Sequence, residues 1–368
     1  MKTTALYASL LLALLAGCSD SSDTSSAQSS VASSSSPLVA DGADAGQVAS
    51  QTGIAMPAGP VVVYSSRQEY LIKPIFDRFT EETGIEVQLQ TGEEGPLIAR
   101  LQAEGDATFA DVLYTVDAGN LWSAANKGLL QPITSPILEA EIPANLRDPQ
   151  NQWFGLSVRA RTIVYSTARV KPEALSTYEA LADPQWKGRL CLRTSKKVYN
   201  MSLVATMIDR LGEAKTEEVV KGWVANLATG PMSSDNLIVQ AIAAGQCDVG
   251  IVNTYYLGQE QQNDPAIPVA LFWANQAESG VHVNVSGAGV TAHAKHKDAA
   301  IKLIEWLASG EPQQMFSELN LEYPASPAIQ PVALVQSWGT FKPDPINVET
   351  AGRLQAQAVM LMDRADYR

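Results

Sequence analysis

The stretch "VVVYSSRQEYLIKPIFDRFTEETGIEVQLQTG", residues 61–92, constrains the fold of this chain more than any other. Val61 to Tyr64 is an uninterrupted apolar run, as a buried strand requires. Leu71, Ile72, Ile75, Phe76 and Phe79 then recur at helical spacing, and Gly84 supplies a helix stop. "IEVQLQTG" alternates as a second strand. A strand, a helix and a strand in this order form a crossover unit with parallel strands. The alternation continues. "PLIARLQAEG" is helical and "ADVLYTV" extended; "NMSLVATMIDRLG" is an amphipathic helix stopped by Gly212. "TEEVVKGWVANLA" and "DNLIVQAIAAGQ" are helices, and "CDVGIVNTYY" is a strand that ends in a pair of phenols. "IPVALFWA" and "HVNVSGAGVTAHA" follow as strands, "KDAAIKLIEWLAS" and "PQQMFSELN" as helices. The expectation is an α/β fold with a mostly parallel sheet, in a chain of 368 residues that suits two domains or one large one.

The N-terminus reads as an address. Lys2 precedes a short apolar stretch too brief for a spanning helix, which fits a signal peptide over residues 1–17. Leu15-Ala16-Gly17-Cys18 resembles a bacterial lipobox, with Cys18 as the lipidated residue. Residues 18–58 then form a Ser-rich tether that has nothing with which to build a core. Acyl chains contribute about 0.8 kcal/mol per buried CH₂, so two or three would hold the protein at a membrane. The expected location is the periplasm, on a membrane-anchored lipoprotein. The formal charge of −13 excludes nucleic acid as a partner, because phosphates demand a basic face.

Enzymatic motifs are missing. There is no phosphate-binding loop, no dinucleotide fingerprint and no nucleophile elbow. His282, His293 and His296 lack zinc-ligand spacing and read as surface or turn residues. Gly287 and Gly289 read as places where chains approach closely. Asp117 reads as a helix N-cap rather than a ligand. The chain is therefore expected not to be an enzyme.

Beyond Cys18, two thiols remain, Cys191 and Cys247. An oxidising compartment permits a bridge between them, and two separate buried thiols fit the sequence as well. Tyr199 follows Cys191 by eight residues, and Tyr255 follows Cys247 by the same eight. A bridge would make the two strands neighbours and bring Tyr199, Tyr255 and Tyr256 to one end of the sheet, where ligands bind in open α/β folds. Ordinary aromatic packing accounts for the same residues.

Together, "VYSSRQEYLIKPIFDRFTEETGIEV", "ADVLYTVDAGNLW", "WFGLSVRARTIVYS", "LADPQWKGRLCLRTSKKVYNMSLVATMI", "VNTYYLGQ" and "HVNVSGAGV" resemble the ferric-ion-binding periplasmic proteins of bacterial iron ABC transporters. The resemblance runs from about residue 60 to the last residue. It implies a two-lobed type II substrate-binding fold with a hinge of crossing strands. One lobe would comprise residues 59–158 with 278–310, the other 159–277 with 311–368. It implies Fe(III) as the cargo, with Tyr199, Tyr255 and Tyr256 as ligands, and carbonate as a candidate synergistic anion. It also implies an inner-membrane ABC permease as partner to a monomeric receptor. A ferric chelate or another small solute is the alternative ligand. The chain departs from the family in its first loop, where Gln68 and Glu69 stand in place of a common His-Tyr pair. Glu69 would supply a hard oxygen, Gln68 would orient a water, or the first lobe would give no ligand at all. Arg67, Arg159 and Arg161 are candidate anion-binding or outer-sphere groups, and surface or inter-lobe ion pairing accounts for them equally well.

The chemistry suits the residues. Ferric iron is a hard acid that favours anionic oxygen. A phenol is neutral at pH 7, with a pKa of about 10, until a metal displaces its proton. Three phenolates cancel a trivalent charge; a divalent ion would leave them undercompensated.

Overall fold

A computed structural model describes residues 59–368. The expected leader, Cys18 and the tether lie outside the described residues. Among the described residues, nine strands share one sheet system: β1 (Val61–Ser65), β2 (Val87–Thr91), β3 (Val112–Thr115), β4 (Phe154–Ser166), β5 (Leu190–Cys191), β6 (Val249–Asn253), β7 (Val269–Phe272), β8 (Val283–Val290) and β9 (Tyr323–Pro324). Around it pack α1 (Glu69–Thr83), α2 (Glu94–Glu104), α3 (Ala118–Asn126), α4 (Pro136–Glu141), α5 (Val198–Leu211), α6 (Glu213–Asn226) and α7 (Asp235–Ala243). The remaining helices are α8 (Thr254–Asn263), α9 (Lys297–Leu307), α10 (Gly310–Asn320), α11 (Ala333–Ser337), α12 (Thr350–Arg353) and α13 (Gln355–Arg364). No described helix is long and apolar enough to cross a membrane.

The opening unit folds as its sequence dictates. Val61, Val63 and Tyr64 are fully buried, and Ile72, Ile75, Phe76 and Phe79 form the buried face of α1. Gly84 ends that helix with φ 71° and donates its N–H to Thr80 O, a backbone conformation that costs a glycine little. β1 pairs in parallel with β2 and β3.

The sheet is mixed rather than mostly parallel, and the long strand β4 is the reason. Its residues 154–160 pair antiparallel with β8, and residues 161–166 pair antiparallel with β6 and β7. One strand thus belongs to both halves of the sheet and joins two lobes, β2-β1-β3-β8 on one side and β6-β5 on the other. The crossover is pinned at Arg161. Its N–H donates to His282 O, and its carbonyl accepts the Tyr178 hydroxyl, which in turn accepts His282 N–H. β8 approaches β4 so closely that a Cβ at Gly287 would lie 2.3 Å from Phe154 O, and one at Gly289 2.4 Å from Gln152 O.

Residues 310–324 pack on the first lobe, α10 against α1 and α9, and β9 beside Ser157 and Val158 of β4. These contacts differ from the expected division, which gives everything after residue 310 to the second lobe. The chain returns across the hinge once more here than the strand pattern reveals. α12 then lies against both α3 and α5, one helix from each lobe.

Candidate metal centre

β5 and β6 are parallel neighbours, with Leu190 opposite Val249 and Cys191 opposite Gly250. Cys191 and Cys247 are disulfide-bonded, with Cα atoms 6.0 Å apart. Because the strands point the same way, the segments that follow them emerge at one end of the sheet. Tyr199 is the second residue of α5; Tyr255 and Tyr256 are the second and third of α8.

The phenol pair does not end a strand, as the sequence reading has it. β6 stops at Asn253, and both tyrosines lie in the first helical turn. Successive residues of a helix turn by about 100° and not the roughly 180° of a strand, so neighbouring rings share one side. Their centroids are 4.4 Å apart. The partial positive charge of each helix N-terminus favours an anionic oxygen placed there.

The three phenols line a cleft of about 410 Å³. Arg67, Gln68, Tyr70 and Glu94 face them from the first lobe, with Arg159, Ser286 and Glu322 at its floor. Glu69 lies on the exposed first turn of α1 and is not among the lining residues. Gln68, at the cap position, does line the cleft and remains exposed. No tryptophan contributes to the lining.

Buried charge surrounds the phenols. Arg67 donates to Glu322 Oε2 at 2.7 Å and Ser286 Oγ at 3.1 Å. Arg159 bonds Asp117 Oδ2 at 3.1 Å, and its guanidinium carbon lies 5.2 Å from the centre of the Tyr199 ring. Arg193 donates to the Tyr256 hydroxyl at 3.3 Å and stands 3.7 Å from Asp235. Asp235 is also the partner of Arg161, at 2.8 Å. Four arginines therefore share three carboxylates beside the phenols, and Lys197, Glu93 and Glu94 also line the cleft. Arg67 Nε, Arg159 Nη1 and Arg193 Nε are buried and have no partner.

Arg161 does not act as a free anion site. It is 2% exposed and directs its N–H groups to Asn200, Asp235, Asn253 and Ile251 O. Asn200 adjoins Tyr199, and Asn253 donates from Nδ2 to the Tyr255 hydroxyl at 3.1 Å. Arg161 thus holds the starts of both phenol-bearing helices. Burial pushes the Tyr199 and Tyr255 phenols above their ordinary value, neighbouring phenols add to the rise, and Arg159 pulls the other way. Three hard oxygens that are neutral until a cation displaces their protons form a donor set suited to a small, highly charged metal ion.

Glu322, Arg193, Asn253 and Ser286 were not read from the sequence. Glu322 and Ser286 reach the cleft from segments far from the tyrosines, whereas Arg193 and Asn253 lie close to Tyr199 and Tyr255 in the chain but have no pattern to mark them. His282 was read as a surface or turn residue and is 4% exposed, its Nδ1 3.1 Å from Thr206 Oγ1. It sits at the hinge crossing, where both lobes cover it.

The family model for bacterial extracellular solute-binding proteins matches residues 75–343. Iron uptake protein A2 of Synechocystis is 44% identical over 314 residues, which cover 83% of this chain and 89% of that one. A structure from Trichodesmium, described as IdiA or FutA in complex with iron and citrate, is 43% identical with a TM-score of 0.81. It covers 84% of this chain and 100% of its own. The ferric iron-binding protein A of Mannheimia haemolytica, in an open conformation, is 41% identical with a TM-score of 0.79, covering 84% of this chain and 99% of its own. With the model spanning most of the described residues and relatives this similar over most of their length, the chain belongs to the bacterial extracellular solute-binding protein family.

Proposed function

We propose that this protein captures ferric iron in the periplasm through the phenolates of Tyr199, Tyr255 and Tyr256 and delivers it to an inner-membrane ABC permease. The observation that carries the reading is the gathering of three phenols, Tyr199 buried and Tyr255 and Tyr256 half-buried, at the starts of the helices that follow two neighbouring strands, in a cleft shared by two lobes. Their combined charge after proton loss equals that of the ion. Iron uptake and ferric binding are named for the relatives with this fold. The protein is a receptor and not an enzyme; it acts as a monomer and is held to the membrane through lipid on Cys18. Gln68 contributes to the cleft wall, and a water or small anion completes the coordination.

The three unpartnered arginine N–H groups favour an oxyanion beside the metal, carbonate among the candidates. They equally suit a ferric chelate whose carboxylates bring their own charge, and the Trichodesmium structure holds iron with citrate. Ferric titration followed by visible absorption separates these readings. Ferric iron with bicarbonate should produce a phenolate-to-iron charge-transfer band at one ion per chain, and Tyr255→Phe should weaken binding at least about 100-fold, beyond the range of an outer-sphere partner. A band that develops only when citrate is added makes the chelate the ligand. A colourless iron-loaded protein, or unchanged affinity in Tyr255→Phe, contradicts the assignment.

A further inference from the structure

We propose that Asp117 is a positioning residue through which the first lobe acts on the metal site, by tying the hinge strands and the Tyr199 helix to one carboxylate; the inference rests on the ferric reading above. Asp117 follows β3 and caps α3, accepting Gly119 N–H at 2.8 Å. A serine or asparagine would cap as well. The carboxylate is fully buried, and burying a charge is unfavourable unless it is paired and hydrogen-bonded.

Its other bonds have no part in capping. Oδ2 accepts Arg159 Nη2 at 3.1 Å and Asn284 Nδ2 at 2.9 Å. Arg159 on β4 and Asn284 on β8 face each other in the strand register at the approach to the hinge. The Ser202 hydroxyl reaches the same carboxylate, at 3.0 Å from Oδ1 and 3.1 Å from Oδ2. Ser202 lies on α5 of the second lobe, three residues and about one turn after Tyr199. The guanidinium that Asp117 orients also stands over the Tyr199 ring, at 5.2 Å, and carries one of the unpartnered cleft N–H groups. One first-lobe group therefore sets both the helix that presents a ligand and the arginine beside it. Glu69, the first-lobe candidate of the sequence, lies outside the cleft lining.

This arrangement assigns Asp117 to retention of the ion and not to its coordination. The Ser202 bond crosses between lobes and can be removed while the α3 cap stays intact. The test uses the full chain, loaded with ferric iron and bicarbonate, and follows loss of the visible band into excess EDTA for wild type, Ser202→Ala and Asp117→Asn. Thr216→Ala, which removes a buried hydroxyl that bonds Gly212 O on α6, is the control for general loss of stability. Ser202→Ala should keep the wild-type band position and release iron roughly ten-fold faster, the scale of a lost hydrogen bond to a buried charge. Asp117→Asn should exceed it in the same direction; if Asp117→Asn does not fold, Ser202→Ala decides alone. Release from Ser202→Ala at the wild-type rate, or no faster than from Thr216→Ala, overturns the inference while the ferric reading stands. Absence of a band in the wild type overturns both.

Discussion

A phenol is a poor ligand until something takes its proton, and burial makes that harder. Tyr199 and Tyr255 are pushed above the ordinary phenol pKa of about 10, so the metal-free cleft holds neutral oxygens at pH 7. Each ligand must release one proton as ferric iron binds. The logarithm of the affinity for free ferric ion should therefore climb by about three per pH unit near neutrality. Chelator competition across a pH series measures this; a slope near one would remove two of the phenols from the coordination sphere. Without metal, the raised pKa values act on stability with a definite sign. Above about pH 10 the unfolded chain loses phenolic protons that the folded chain keeps, so the metal-free protein loses stability as pH rises. His282 governs the acid side. Burial, with Arg161 and Arg159 nearby, lowers its pKa from 6.5 to about 3. Between those values the unfolded chain binds the extra proton. The contribution is thus complete above pH 6.5 and is lost as pH falls towards 3, with an upper bound of ~5 kcal/mol. Urea unfolding at pH 7 and pH 4 should show the loss, and His282→Gln should flatten it; an equal pH dependence in the variant would mean other groups control acid unfolding.

Two elements, β5 and β6, decide whether the phenols meet, and the Cys191–Cys247 bond fixes them side by side. The bond closes a loop of 56 residues. Its reduction should lower the unfolding free energy by about 4 kcal/mol in the chain-entropy picture. Denaturant titration with and without reductant checks this, and coincident curves would mean that packing alone holds the strands. The cysteine and tyrosine spacings made this much legible, because parallel strands of equal offset deliver their followers to the same edge. The first strand-helix-strand unit was legible from its apolar periodicity for a similar reason, since each signal is local. The antiparallel pairing of β4 was not, because a strand's sequence does not state the direction of its neighbour. Nor was the helical start at Thr254: a polar segment after an apolar run carries neither period strongly. Glu322 and Arg193 converge only once the chain has crossed between lobes, so no window of sequence contains their relation.

At the scale of the molecule, the three phenols proposed as ligands belong to one lobe, and residues of the other lobe line the facing side of the cleft. Lys197, beside the phenols, stands 4.0 Å from Glu94 across the opening, and the Arg67–Glu322 pair also lines the cleft. Such a division lets the second lobe hold a prepared donor set while hinge motion governs access and release. The shared strand β4 supports it, since bending near Arg161 moves one half of the sheet without unpairing the other. Ferric capture by this cleft depends on neutral phenols turning into charge-matched ligands. Ultraviolet difference spectroscopy at neutral pH counts that conversion directly. Three tyrosines ionised for each ferric ion bound is the expected result; saturation of the site with none ionised, or with one, would contradict it.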